Sequence, residues 1–336
     1  MSVRPEKSSG TATPARVAAV LVSYRPKASV FPTVLRSAAT QVEELVVVDN
    51  SPEPESQEAV ARMVEAVRQT GSEAQLTLLT LGENTGLSRG INRGVRKGFE
   101  DGCSFFLLLD QDSVLGPAAV RTLREEHGRR AAGRGEAVLA AENDIPNPSP
   151  LHRLLDSVYY RYRAKTPEGH PSPLAITSGL FVPAAVFRRV GLFDESLFLD
   201  SADHEFCLRA RRRGVRLFTV PSARVHHMMG EPTGDRSGLL GAELRYQNED
   251  QLYYGTRDTL RTVRRYWLSH PLLGTSLFGF TVARSMAYRW GGPGYRRQYL
   301  AARRGWVDFV TLPDRPEIPP MVPGSSGFEG DSEVGP

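Results

Sequence analysis

Cysteine and lysine are the residues this chain hardly uses. Only Cys103 and Cys207 occur among its 336 residues, each in an apolar context. A disulfide framework is thereby excluded, and a reducing, cytoplasmic setting is expected. A chain of this length can bury about three quarters of its unfolded surface and needs no covalent staples. Lysine occurs four times against thirty-eight arginines, for a net charge of +4. Arginine suits bidentate contact with phosphate, so a nucleotide, a nucleic acid or an anionic membrane are candidate partners; a compositional bias toward arginine explains the same count. No run of eighteen apolar residues occurs, which argues against a membrane-spanning helix. The first fifteen residues, with Lys7, Ser8, Ser9 and Pro14, lack the apolar segment of a signal peptide and read as a loose tail.

What is present is globular: 40% apolar and 24% charged residues exclude a mainly disordered chain. The length fits about two domains, or one α/β domain with additions. Residues 16–23 (RVAAVLVS) form a continuous apolar run ending in polar residues, which suits a buried parallel strand. A helical stretch from Ala28 to about Gln41 follows, then a second strand at 44–50 (ELVVVDN). Residues 56–70 carry apolar side chains at helical spacing, with Gly71 as a stop. A third strand (75–81), a glycine-bearing helix (86–101) and a fourth strand (104–110) complete the alternation. That rhythm predicts a doubly wound, mostly parallel α/β sheet.

Ligands of such sheets bind beyond the carboxyl ends of the strands. Those ends carry Ser23 and Tyr24, Asp49 and Asn50, Gly82 to Asn84, and Asp110 to Asp112. Farther on, a strand is expected at 137–142, an apolar segment at 176–183 (ITSGLFVP) and a helix near 202–213. Two short strands, RLFTVP and ARVHH, are expected within 216–227. Residues 244–306 read as helical and basic, with eleven arginines, three acids and no lysine. The last 24 residues, with ten Pro or Gly, read as a disordered tail.

Four constellations carry chemistry. Asp110 and Asp112, as i and i+2 of an extended strand end, would stand on one side roughly 7 Å apart and could hold a hard divalent cation. A turn in which the acids bond their own backbone is the plainer alternative. The segment 192–214 packs Asp194, Glu195, Asp200, Asp203 and Glu205 ahead of a helix. Within it Glu205 pairs with Arg209 at i, i+4, and Asp203 could be a first-turn acid favoured by the helix dipole. His226 and His227 end a short strand, and with a strand-end Asp nearby they are candidate metal ligands. In NTGLSRGINRG (84–94), Gly86, Gly90 and Gly94 recur every four residues. They allow close helix–sheet packing, or a helix N-terminus that, with Arg89, faces a phosphate.

In this order the motifs resemble inverting nucleotide-sugar glycosyltransferases of the GT-A fold, and more closely the bacterial rhamnosyltransferases that use dTDP-L-rhamnose. The residues that carry the likeness are VSYRP near Ser23, VVVDN at 46–50, NTGLSRGINRG, LLLDQDS at 107–113, SGLFVP at 178–183, GLFDESLFLDSADHEFCLRA at 191–210 and VPSARVHHMMG at 220–230. The resemblance implies a GT-A glycosyltransferase domain over 16–243, a basic helical region over 244–310, and tails at 1–15 and 311–336.

It further implies that Asp49 contacts the nucleobase, with Ser23 and Tyr24 lining that pocket, and that Asp110 lies near the ribose. Asn84, Gly86 and Arg89 fall in the donor-binding segment, and Arg257 stands where an arginine can meet the donor. Asp112 and His227 are the implied ligands of a divalent cation, Mg2+ or Mn2+. Asp203 is the implied catalytic base, with Asp200 and Glu205 as lesser candidates. The donor would be dTDP-L-rhamnose, or a UDP-hexose or UDP-galactofuranose in a related enzyme, and the acceptor a glycan or lipid-linked glycan. A non-catalytic nucleotide-binding scaffold is argued against by the intact DQD, Asp203 and His227. Ser201, Phe206 and Asp258 depart from the family, which often has an aromatic, Trp and Asn there; the first puts the acceptor in question. Tyr266, Trp267, Leu272 and Leu273 beside Arg264 and Arg265 suggest peripheral membrane contact at an inner membrane face, or equally a helical cap or homodimer surface. The arginine-rich helices carry no nucleic-acid recognition motif, so no nucleic-acid partner is expected.

Overall fold

The computed structural model describes residues 15–134, 136–144, 174–227 and 248–319. Strands β1 (Val17–Ser23), β2 (Glu44–Asp49), β3 (Gln75–Thr80) and β4 (Phe105–Asp110) alternate with helices α1 (Phe31–Ala39), α2 (Pro54–Arg68) and α3 (Leu87–Glu100). All four strands run parallel, with β1 between β2 and β4 and β3 beyond β2. Their apolar runs are continuous because both faces are covered. Ala18, Val20, Val22, Val46 and Val48 enter one core with α3, while Val17, Ala19, Leu21, Leu45 and Val47 enter the other with α1 and α2. The period of two along a strand thus feeds two cores from one sequence.

Beyond β4 the sheet changes direction. A turn at Gln111 and Asp112 leads to β5 (Ser113–Leu115) and α4 (Ala119–Arg134). Strands β6 (Ala137–Asp144), β7 (Leu180–Pro183) and β8 (Arg216–His227) complete the order β3-β2-β1-β4-β7-β6-β8-β5. Strand β7 is antiparallel to both β4 and β6, and β5 is antiparallel to β8. The two short strands expected within 216–227 are one: β8 pairs with β6 throughout, and its register jumps from Ala141–Val220 to Glu142–Arg224. Pro221 cannot donate to a ladder, so it is tolerated in the bulge that absorbs residues 221–223.

Helices α5 (Ala184–Val190) and α6 (Ala202–Arg212) lie on the α3 side, together with the inner faces of α7 (Glu249–Tyr266) and α8 (Pro271–Trp290). A 3₁₀ turn (Pro293–Tyr295) leads into α9 (Arg296–Thr311), which packs on α7 where Gly305 sits against Tyr253 and Thr256. The segment expected to be a tail from 311 is ordered at its start. Residues 313–319 run against the 191–196 loop, with Glu195 N–H donating to the Glu317 carbonyl at 2.8 Å and Glu317 N–H to Asp194 Oδ1 at 2.8 Å. Residues 320–336 lie outside the described residues. Cys103 and Cys207 are both free and buried, and burial pushes their thiols up to about 11 and about 12.

Candidate active site

The parallel register sets the four strand ends on one rim: Ser23 lies opposite Asp49, Asp49 opposite Thr80, and Asp110 opposite Val22. Asp49 is fully buried. Its Oδ1 accepts the Ser51 hydroxyl at 2.7 Å, the Ser51 N–H at 3.1 Å and the Ser23 hydroxyl at 3.2 Å. Its Oδ2 has no hydrogen-bond partner. Tyr24 follows directly, its N–H donating to Gln111 Oε1 at 2.7 Å, so the β1 turn is tied to the DQD turn.

Asn84, exposed, caps its own turn by accepting the Gly86 N–H at 3.2 Å. Gly86 holds φ +88°, and a Cβ there would stand 2.6 Å from the Phe198 carbonyl oxygen. Only glycine fits both constraints. The N–H of Leu87 donates to that carbonyl at 2.6 Å, and the Ser88 hydroxyl to the Leu197 carbonyl at 2.6 Å. Arg89 pairs with Glu195 at 2.9 Å. The start of α3 is therefore bonded to the 195–198 loop as well as facing the rim. Close packing accounts for the glycine repeat, since a Cβ at Gly90 would meet Val22 and one at Gly94 would meet Val20 even more closely.

The DQD backbone is not extended through Asp112, as its spacing suggested: Asp110 ends β4 and the chain turns at residues 111–112. Ser113, the residue after Asp112, pairs with His227 across the β5–β8 ladder. The rest of that histidine motif, 228–230, lies outside the described residues. Among the described residues no group of three or more His, Cys, Asp and Glu forms a metal cage. A carboxylate at Asp112 is of the donor type that a small divalent cation takes together with waters and phosphate oxygens of its substrate.

The loop of residues 174–179 joins this rim to the acid cluster. Thr177 donates its hydroxyl to Asp110 Oδ1 at 3.3 Å, and the Ser178 and Ser113 hydroxyls meet at 2.6 Å. Gly179, at φ +82°, leaves room for Ala141 and Val225, each 2.9 Å from where its Cβ would be. From the other side, Cys207 on α6 contacts the Ala175 carbonyl at 3.6 Å. Cys207 is four residues after Asp203, so the two share a helix face. The loop thus touches Asp110 through Thr177 and α6 through Cys207. Asp203 sits in the first turn of α6, its side chain 17% exposed, with His204 Nδ1 3.8 Å from Oδ1. Its Oδ1 also accepts the His204 N–H at 2.7 Å, as the helix-start reading anticipated.

The other acids of the cluster are bound up in structure. Glu205 receives Arg209 at 2.9 Å through both Nε and Nη2, and the Tyr266 hydroxyl at 2.9 Å. Its carboxylate is saturated with hydrogen bonds. Asp200 Oδ1 accepts the Ser201 N–H at 2.7 Å. Arg257 donates to Asp258 at 2.7 Å and lines an open cavity of about 320 Å³ with Phe198, Arg261 and Arg315. Sequence reasoning noted Asp258 only as a departure. In the structure its Oδ2 accepts the N–H groups of Phe198 at 2.9 Å and Leu199 at 3.0 Å, fixing the loop that leads to Asp203. Burial pushes Asp258 up to about 6, against the pull of Arg257. Thr177 and Asp314, which accepts Arg265 Nε at 3.0 Å, were also missed; nothing in a lone threonine or a proline-rich terminus distinguishes them by pattern.

The sheet presents a polar rim at the carboxyl ends of its parallel strands, where doubly wound α/β sheets bind their ligands. Residues 14–241 match the family described as glycosyltransferase like family 2, and the chain belongs to it. It is 25% identical over 253 residues, 74% of this chain and 79% of the relative, to the dTDP-rhamnosyl transferase RfbF of Shigella flexneri. Among solved structures, the mannosyltransferase PcManGT from Pyrobaculum calidifontis, in complex with GDP-Man and Mn2+, is 14% identical with a TM-score of 0.55, covering 88% of this chain and 87% of that one. TarS of S. aureus, residues 1–349, is 13% identical with a TM-score of 0.52, covering 88% and 81%. The expected GT-A fold is the observed one, and the protein is a glycosyltransferase.

Proposed function

We propose that this glycosyltransferase moves L-rhamnose from dTDP-L-rhamnose to a hydroxyl of a glycan or lipid-linked glycan, with inversion. The observation that carries the reading is the buried Asp49 with its unpartnered Oδ2 beside Ser23 and Tyr24. A buried acceptor left unpaired costs about 1–3 kcal/mol, which an N–H donor of a pyrimidine base would recover. The likeness to a dTDP-rhamnosyl transferase favours thymine and rhamnose over other donors.

In the reaction, the acceptor oxygen forms a bond to the anomeric carbon as the bond from that carbon to the diphosphate oxygen breaks. Asp203 takes the hydroxyl proton, and dTDP leaves from the opposite face. A positioned base of this kind contributes about 10²–10⁴ in rate. Asp110 holds the ribose side of the donor, Asn84, Gly86 and Arg89 flank it at the start of α3, and Arg257 reaches it from α7. Asp112 and His227 would hold a divalent cation, Mg2+ or Mn2+. That ion would supply charge neutralisation at the departing diphosphate.

The test is a donor panel: dTDP-L-rhamnose against UDP- and GDP-sugars, read by nucleotide release with Mg2+, Mn2+ or EDTA, with donor binding measured alongside. Release from dTDP-L-rhamnose that EDTA abolishes is expected. Release from another sugar instead discards the rhamnose assignment, and absence of donor binding discards the enzymatic one.

A further inference from the structure

Among the described residues, every large hydrophobic side chain that is exposed lies between residues 268 and 318. Of the patch expected from sequence only part belongs to that surface: Leu272, 64% exposed, and Arg264 do. Tyr266 and Leu273 are buried, and Arg265 is engaged with Asp194 at 2.5 Å. Instead, Leu300, Val307 and Val310 stand out along α9, exposed by 42%, 47% and 74%. At 3.6 residues per turn, Leu300 and Val307 fall on one line. Arg297 and Arg304 flank it on one side within roughly 60°, Arg296 and Arg303 on the other. All four arginines are exposed. The opposite face, with Gln298, Ala301, Ala302 and Gly305, is buried. The one acid of α9, Asp308, accepts the Tyr253 hydroxyl at 2.5 Å, so no carboxylate interrupts the outer stripe. Trp290, 63% exposed, ends the preceding helix.

We propose that the outer face of α9 docks the enzyme on an anionic lipid bilayer. Charge complementarity selects this occupant. The aliphatic line would enter the headgroup boundary while the arginines on either side reach up to lipid phosphates. A second copy of the chain would set arginine against arginine across a two-fold interface. A nucleic acid would use the cations but has no need of the aliphatic line, since single strands stack on aromatic rings. Among the described residues no helix is long and apolar enough to cross a membrane, so the contact is peripheral. The inference stands apart from the identity of the donor.

The experiment is sedimentation of the full chain with vesicles of phosphatidylcholine alone, or with a third phosphatidylglycerol, at low and high salt. Binding to the anionic vesicles only, weakened by salt, is expected. Leu300→Ser with Val307→Ser, and separately Arg297→Gln with Arg303→Gln, each lower partitioning by about tenfold or more. These side chains are exposed, and circular dichroism confirms that each variant is folded; the wild-type comparison of the two vesicle types stands without them. Equal binding to both vesicles, binding to neither, or vesicle binding indifferent to Leu300 and Val307 overturns the proposal. Retention on duplex DNA without vesicle binding would assign the face to nucleic acid. A dimer without vesicle binding that Leu300→Asp dissolves would assign it to a second copy.

Discussion

Two sets of buried acids, one on the nucleotide rim and one along the seam with the C-terminal helices, are treated in opposite ways. Asp49 on the rim is fully buried and meets only two serine hydroxyls and a backbone N–H. On the seam, Asp194, Glu205 and Asp258 are as deeply buried, yet each is answered by an arginine: Arg265, Arg209 and Arg257. Charge that is compensated in place is architecture; charge left with an open lone pair is where a ligand completes the structure.

Breaking the seam should show the largest stability effect. Arg265→Ala strands Asp194, while Asp314 keeps Arg264 at 3.3 Å, and Arg209→Ala strands Glu205. Each is expected to cost about 3–5 kcal/mol in denaturant unfolding, the loss typical of a buried charge deprived of its partner. Asp49→Asn tests the other half of the comparison. It keeps an acceptor for Ser51 and changes stability by less than about 1 kcal/mol, but weakens dTDP binding by about tenfold or more in calorimetry. Equal stability losses at both places would erase the distinction.

Acid titration sharpens it further. Burial raises Asp194, but the N–H groups of Glu317 and Ser196 and the Arg265 cation outweigh it and hold the carboxyl below its ordinary value. Its stabilising contribution is present above about pH 4 and lost as pH falls through the lowered value. Asp258, pushed up to about 6, has the reverse sign. Its proton stabilises the fold fully below about pH 4, and that contribution is lost as pH rises through 6. Melting temperature against pH for Asp258→Asn should therefore lack the decline between about pH 4 and 6, while Asp194→Asn should flatten the acid limb. The smallest effect belongs to the surface pair of Arg89 and Glu195: Arg89→Gln should change stability by less than about 1 kcal/mol.

The parallel half of the sheet was legible because fully buried strands write themselves as apolar runs ending in polar residues, as at 16–23 and 44–50. The ion pair of Glu205 and Arg209 was legible for a similar reason, since helix geometry fixes it locally. Partners far apart in sequence were not. Nothing local tells that Arg265 meets Asp194, 71 positions away, or Asp314, 49 positions away. Those contacts hold 313–319 against the 191–196 loop despite its prolines. In the site, the DQD turn and Asp203 stood out as motifs, whereas the loop that holds the DQD turn, through Thr177 and Ser178, became visible only with the chain folded.

The most direct test of the account separates binding from chemistry at one carboxylate. Asp203→Asn should bind dTDP as the wild type does while its transfer from dTDP-L-rhamnose falls by about 10²–10⁴. Full turnover by that variant would contradict the assignment of Asp203 as the base and move it to Asp200.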